Sequence, residues 1–279
     1  MRILITGVAG MLGSDASDAA RRAGHEVTGL DRHALDITDA AAAERAVAQA
    51  APDVVINCAA WTDVDKAESA EDAATRVNGE GAGNVARAAG AAGAWTIHVS
   101  TDYVFDGRKR EPYVESDPVA PQSAYGRSKL RGELAVADQA RARHTIVRSS
   151  WLYGPGRCFP ATILAAARAR DELTVVDDQV GCPTLTGDLA AALVELAHAP
   201  TPGVLHVAAA GQCSWFEFAR EIVARAGLSC EVNPGSTADL GRPAPRPEYS
   251  VLRTERGAPE LPDWRDGLAR YMSTYAYAP

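Results

Sequence analysis

Arg2-Ile3-Leu4-Ile5-Thr6-Gly7-Val8-Ala9-Gly10-Met11-Leu12-Gly13 is an apolar run of strand length that empties into a glycine turn and then a helical stretch. In a Gly-x-x-Gly-x-x-Gly turn, Gly7 permits the tight turn, Gly10 lets a pyrophosphate approach the backbone, and Gly13 lets helix and strand pack closely. The free amides of the helix N-terminus then face the phosphates. Such a turn is informative only between a strand and a helix, and that is where this one stands. Asp31 closes the next apolar run, residues 26–31, where a carboxylate can accept the adenosine ribose hydroxyls. Arg32 and His33 beside it could hold a 2′-phosphate instead. The pattern predicts a dinucleotide site open to both NADPH and NADH, leaning to NADPH because a guanidinium lies next to the acid.

Further along, apolar runs at residues 53–57, 95–100 and 145–150 alternate with alanine-rich helical stretches at 12–23, 39–49, 70–92 and 124–140. Asp39 is placed to cap the second of these helices. Alternation of this kind builds a parallel sheet covered by helices. Asp53-Val54-Val55-Ile56-Asn57 is continuous in Val and Ile, as a strand buried on both faces requires. With right-handed crossovers, the expected class is α/β: a doubly wound Rossmann-type parallel sheet. After Trp151 prolines and glycines become frequent, and residues 233–247 read as a long surface loop. A helix at 188–199 and a strand at 204–208 are expected to return to the main sheet. Residues 1–150, joined by 184–208, thus read as the dinucleotide-binding domain, and 151–183 with 209–279 as a smaller, interleaved C-terminal substrate lobe.

The 279 residues are enough for a large core, as one domain or two closely joined lobes. A net charge of −8 argues against a nucleic-acid-binding face, which needs clustered cations. A few local arginines can still hold a diphosphate inside an acidic protein. No apolar run approaches the length that spans a bilayer, so no membrane partner is expected. Cys58, Cys158, Cys182, Cys213 and Cys230 are odd in number and lack Cys-x-x-Cys spacing. They read as buried thiols of a reducing cytoplasm, with no disulfide framework or zinc site. The histidines show no metal-ligand pair at helical spacing.

Ser123-Ala124-Tyr125-Gly126-Arg127-Ser128-Lys129 puts a tyrosine and a lysine one turn apart on the same helix face. Of 28 basic residues only Lys66, Lys109 and Lys129 are lysines. A position that keeps the ammonium in so arginine-rich a chain points to a need for a compact charge with rotatable donors. A cation beside Tyr125 favours its phenolate and is expected to lower its pKa from about 10. Tyr125 is thereby a candidate proton donor or acceptor.

Three further strings complete a pattern: Asn57-Cys58-Ala59-Ala60-Trp61-Thr62-Asp63-Val64-Asp65-Lys66-Ala67-Glu68, Val99-Ser100-Thr101-Asp102-Tyr103-Val104-Phe105-Asp106-Gly107, and Arg148-Ser149-Ser150-Trp151-Leu152-Tyr153-Gly154. Together with the glycine turn, the Tyr125/Lys129 pair, residues 178–184 and residues 246–252, the chain closely resembles the extended short-chain dehydrogenase/reductases, and among them the dTDP-4-dehydrorhamnose reductase family. The resemblance runs nearly end to end. It implies that Gly7, Gly10, Met11, Leu12 and Gly13 cradle a pyrophosphate, that Asp31, Asp36 and Ile37 surround the adenosine, and that Ala60, Trp61 and Thr62 line the dinucleotide. It makes Thr101, Tyr125 and Lys129 the catalytic trio, and puts Val64, Asp65, Asp102 and Trp151 on the substrate side. Arg246, in its proline-rich loop, is implied to meet the nucleotide diphosphate, since an arginine fork suits phosphate oxygens. Plainer readings stay open: Trp151 as core packing, Asp65 and Lys66 as a solvated charge pair, Arg246 as an organiser of its own loop.

The implied reaction is NAD(P)H-dependent reduction of the C4 keto group of dTDP-4-dehydro-6-deoxy-L-mannose (dTDP-4-dehydrorhamnose) to dTDP-L-rhamnose, with Tyr125 as proton donor. Ketone reduction needs a hydride at carbon and a proton at oxygen, and the nicotinamide supplies the first. Cys158-Phe159 stands where the family often has Asn-Phe, and Tyr249 precedes Ser250 where asparagine is common. Both departures lie in the substrate half. Two alternatives therefore remain: a 4-ketoreductase for another dTDP-deoxysugar, in a dihydrostreptose or antibiotic-sugar pathway, and a non-catalytic NADP-binding regulatory subunit. Some relatives hold magnesium at a dimer interface. Asp15 fits one such position, but Tyr271-Met272-Ser273-Thr274 offers no carboxylate, so no metal is expected. The resemblance leaves room for a homodimer.

Overall fold

The computed structural model describes residues 1–140 and 142–275, so the last four residues of the expected C-terminal lobe lie outside it. Five apolar runs of the first half form strands β1 (Arg2–Thr6), β2 (Glu26–Leu30), β3 (Val54–Asn57), β4 (Trp95–Thr101) and β5 (His144–Ser149). A sixth strand, Gly203–His206, comes back from the second half and pairs with β5. The sheet runs β2-β1-β3-β4-β5 and then Gly203–His206, with every pairing parallel. This is the expected doubly wound sheet. The order in which strands are added reverses between β1 and β3, which opens a crevice at their carboxyl ends.

Helices cover both faces. On one, Leu12, Ala16 and Ala20 of α1 (Met11–Arg22) share a core with Leu189, Ala190, Leu193 and Ala197 of the helix Thr186–His198. Alanines facing alanines let these helices approach closely. On the other, Ala43 and Val47 of α2 (Ala40–Ala50) and Val85, Ala88 and Ala89 pack on Leu4 and Val55. Asp39 caps α2 as expected, accepting from the Ala42 amide at 3.0 Å. A separate core holds the C-terminal elements, in which Tyr153, Phe218, Trp264, Leu268 and Tyr271 surround a parallel strand pair, Glu172–Val176 with Glu231–Gly235.

Two expectations need correction. The helix at 70–92 is three consecutive segments: Glu71–Thr75, a π-helical stretch Arg76–Gly81, and Ala82–Ala91. A preceding short helix, α3 (Val64–Ser69), is capped by Asp63, which accepts from the Lys66 amide. The stretch Arg76–Gly81 holds one apolar residue, Val77, too few to carry a period, so periodicity does not reveal the π turn. The stretch 233–247 is also not all loop, because residues 231–235 form a strand and Thr237–Leu240 a 3-10 turn. Its proline sits on an edge strand, the place where a missing amide does least harm.

The glycine turn has the strictest steric demand. Gly7 lies at φ 72°, and a Cβ there would stand 2.7 Å from the Ala59 backbone nitrogen. A Cβ on Gly13 would stand 2.2 Å from the Gly7 carbonyl oxygen, inside any allowed contact. Gly13→Ala is therefore expected to lose about 1–3 kcal/mol of stability through forced backbone shifts. Denaturant unfolding checks this, and wild-type stability would refute the close-approach argument.

Candidate functional site

A cleft of about 690 Å³ opens at the carboxyl ends of β1, β3 and β4. Gly7, Gly10, Met11, Leu12 and Gly13 line it, and so do Arg32, Asp36, Ile37, Ala60, Trp61, Thr62, Val64, Thr101, Asp102, Tyr125, Lys129 and Trp151. Three expected residues do not: Asp31, Asp65 and Arg246. One oxygen of Asp31 is committed to its own turn, accepting from the amides of His33 and Ala34 at 2.9 Å each. Asp65 and Arg246 hold one another in a two-pronged ion pair at 3.0 and 2.9 Å instead of presenting free charges.

At the glycine end, α1 begins at Gly10 with no side chain capping its first amides. Those donors face the cleft, the arrangement a pyrophosphate requires. Arg32 lines the same end, whereas Asp31 does not. Asp36 accepts from the amide and hydroxyl of Thr38, which hold its carboxyl below the usual range.

The helix Ala124–Gln139 starts where Ser123 accepts from the Gly126 amide at 3.1 Å. It carries Tyr125 and Lys129 on the face toward β4, and both reach the cleft. Lys129 is 2% exposed and donates to the Val99 carbonyl at 2.7 Å. Burial pulls its pKa down to about 8, while Glu133 one turn further on opposes the shift. Glu133 is in turn fixed by Ser100 at 2.6 Å and by the Arg148 fork at 2.9 and 2.7 Å.

Tyr125 does not behave as the sequence suggested. Its phenol is pushed up to about 12, chiefly by burial, with the Thr101 hydroxyl pulling down and Asp102 pushing up. Desolvation disfavours the phenolate, and the Lys129 ammonium is directed at the Val99 carbonyl. Thr101 donates to Asp102 at 2.9 Å and accepts from the Tyr103 amide. The Tyr103 ring meets Tyr125 edge-on with centroids 5.5 Å apart. Asp102 is buried, which raises its pKa to about 6 against the opposing pull of the Ser250 and Thr101 hydroxyls, and its second carboxylate oxygen makes no hydrogen bond.

Several contributors escaped the sequence reading. Asn78, in the π-helical stretch, exchanges hydrogen bonds with the Trp61 backbone at 2.8 and 3.0 Å and donates to Ser128 at 2.8 Å. It ties the wall after β3 to the Tyr125 helix. π turns recur at functional sites for this kind of re-aiming. Trp215 stacks on Trp151 with centroids 3.6 Å apart and planes 3° from parallel. Trp151 is held at φ 48°, rare for a bulky residue, so it is not ordinary core packing. Arg157 and Cys158 also line this half of the cleft. Asn78 had no readable signal. Trp215 had one, an aromatic directly after Ser214 at a helix start. Asp15 accepts from the Thr186 hydroxyl.

Among known proteins, the family model described as "RmlD substrate binding domain" matches residues 1–277. The chain is 45% identical to a dTDP-4-dehydrorhamnose reductase of Mycolicibacterium smegmatis, over 96% of this chain and 84% of the relative. A crystal structure of a dTDP-4-dehydrorhamnose reductase from Clostridium acetobutylicum superposes with a TM-score of 0.95 at 42% identity, covering 98% of this chain and 99% of that one. The Bacillus anthracis enzyme of the same name, solved in complex with NADP, gives 0.94 at 38% identity, with 98% of each chain covered. Among the described residues no helix is long and apolar enough to cross a membrane.

The Asp102 carboxyl has a consequence for stability. Its folded pKa lies above an aspartate's ordinary 3.8, so the folded state binds the extra proton between about 4 and 6. The stabilisation that proton gives is present below about pH 4 and is lost as pH rises through 6. Asp102→Asn is therefore expected to gain stability relative to wild type above pH 6, on the order of 1–3 kcal/mol, and little at pH 4. Urea unfolding of both proteins across this range measures it, and an equal difference at both ends would contradict the assignment.

Proposed function

The chain belongs to the RmlD substrate binding domain family, and from that premise we propose that it reduces the C4 keto group of dTDP-4-dehydrorhamnose to give dTDP-L-rhamnose, using NADPH or NADH. The observation that carries the reading is one cleft holding an uncapped glycine-turn helix, a buried lysine and a phenol side by side. In the division of labour proposed here, residues 1–150 with 184–208 hold the dinucleotide, and 151–183 with 209–279 hold the sugar nucleotide. All five cysteines are free, which suits a reducing cytoplasm.

The residues present fit a dinucleotide. Free amides at α1 suit its pyrophosphate, and Arg32 at the cleft suits a 2′-phosphate. When bound, the reduced nicotinamide supplies the hydride that no side chain can. Tyr125 donates its proton to the ketone oxygen as negative charge develops there. A phenol held at about 12 is fully protonated at neutral pH, which suits a donor in the reducing direction. Thr101 sits against that phenol and helps orient the same oxygen. Lys129, still largely cationic at pH 7, stabilises the tyrosinate left behind and holds the nicotinamide ribose. Asp102 offers an unpaired oxygen to a sugar hydroxyl, and Val64 and Trp151 wall the sugar side.

NADPH oxidation with a panel of dTDP-4-keto sugars, followed by product analysis, tests the reading. Turnover of dTDP-4-dehydrorhamnose is expected. Turnover of only another deoxysugar would move the protein to a dihydrostreptose or antibiotic-sugar pathway, and none at all would favour a regulatory subunit. Tyr125→Phe is expected to keep cofactor affinity and lose about 10²–10⁴-fold in kcat. Wild-type turnover would clear Tyr125 of the proton step. Arg32→Ala should raise KM for NADPH and leave that for NADH unchanged, and equal effects on both would remove the basis for a 2′-phosphate contact.

A further inference from the structure

Arg246 was the arginine that the sequence put forward for the diphosphate, and its charge is already spent. Both its terminal nitrogens engage Asp65, one also reaches the Ala244 carbonyl at 3.1 Å, and its side chain is only 15% exposed. Asp65 answers with a carboxyl held down to about 2, chiefly by Arg246, and takes Arg242 as well at 3.1 Å. Pulling Arg246 toward a ligand would strand a partly buried carboxylate, a strongly unfavourable exchange.

Two arginines line the cleft itself, Arg32 and Arg157. Arg32 follows β2 and shares the glycine-turn end with Leu35, Asp36 and Ile37. Arg157 stands on the other half, in the turn between Leu152–Tyr153 and the helix Phe159–Ala169, among Trp151, Leu152, Cys158 and Trp215. It is exposed and makes no hydrogen bond or ion pair with any described residue. The acids lining the cleft are Asp36, at the glycine-turn end, and Asp102, beside Tyr125, so no carboxylate lines this wall next to Arg157. Its neighbour Cys158 offers no competing polar group, since the thiol is buried and meets the Tyr271 hydroxyl at 3.3 Å. This wall joins aromatic rings and the hydroxyl residues Ser150 and Thr186 to one guanidinium without a partner among the described residues.

We propose that Arg157 is the residue on the substrate side that recognises the diphosphate of a nucleotide-linked sugar, and so selects such substrates over free sugars. This rests on the reading of the substrate as a nucleotide sugar. A guanidinium presents paired donors that match phosphate oxygens two at a time, whereas an ammonium presents a point charge. Arg157 acts by binding and takes no part in proton transfer, so its contribution falls on KM more than on kcat.

The test is titration of dTDP into the wild-type protein, Arg157→Ala and Arg157→Lys, with NADPH affinity and steady-state kinetics measured in parallel. Arg157→Ala is expected to weaken dTDP binding and raise KM for the sugar nucleotide by about 10- to 100-fold. kcat and the NADPH dissociation constant should stay near wild type, and Arg157→Lys should fall between. Inorganic pyrophosphate should inhibit the wild type competitively against the sugar nucleotide and lose that potency in Arg157→Ala. Unchanged dTDP affinity in Arg157→Ala, in a protein whose wild type turns over sugar nucleotides, overturns this assignment alone. A wild type that neither binds dTDP nor reduces any nucleotide-linked keto sugar overturns it together with the proposed function.

Discussion

A lysine ammonium buried under a parallel sheet is the constraint on which the site depends. Taking a charge out of water is unfavourable by several kcal/mol unless partners replace the lost hydration. Here the replacements are the Val99 carbonyl and, one turn along the same helix, Glu133. Glu133 would itself be an uncompensated charge without Arg148 and Ser100, which face one another across β4 and β5. The string therefore ties one helix to two adjacent strands. Removing any member leaves another buried and unpaired, and that interdependence fixes Tyr125 against Thr101 at the end of β4. His98, buried beneath and held neutral by burial and by Lys129, takes part in a polar row with Asn57 and Thr6 that crosses the carboxyl ends of three strands.

Around that anchor the cleft holds several features that folding alone would not select. Asp102 keeps an unpaired buried oxygen, Trp151 occupies a left-handed backbone conformation, and a helix departs from α geometry where Asn78 grips Trp61. Each is destabilising by itself, and strain of this kind persists only where neighbouring structure over-determines it. The neighbours are visible. Trp151 is clamped between the Trp215 ring and Gly181, where a Cβ would lie 2.4 Å from the indole. Ala51 also takes a left-handed conformation away from the cleft, but three different departures from regular structure meeting along one crevice is what a binding site adds to a fold.

The sheet and its glycine turn were legible because their determinants are local: strand-length apolar runs, glycines at fixed spacing, an aspartate cap. The Tyr125/Lys129 pair was legible because i and i+4 share a helix face in any helix. What was not legible depends on contacts between distant segments. The sequence gives no means of knowing that Asp65 and Arg246, 181 positions apart, neutralise one another. Nor does it show that burial would push the Tyr125 phenol up. A charge next to a titratable group can be read from spacing, whereas desolvation is a property of the assembled molecule. The π turn fails for a related reason: Asn78 is explained by Trp61 and Ser128, neither of which lies on its own helix.

The Asp65–Arg246 pair also accounts for how the two halves meet. α3 follows the wall that carries Trp61 and Thr62, and its first residue, Val64, lines the cleft. The segment holding Arg242 and Arg246 belongs to the C-terminal half. The ion pair joins α3 to that segment with a two-pronged contact that is directional as well as attractive. Exposed pairs contribute little to stability, but this arginine is mostly buried and its partner accepts from three groups. Charge at those two positions is therefore satisfied within the protein, whereas Arg32 and Arg157 are the guanidinium groups that line the cleft.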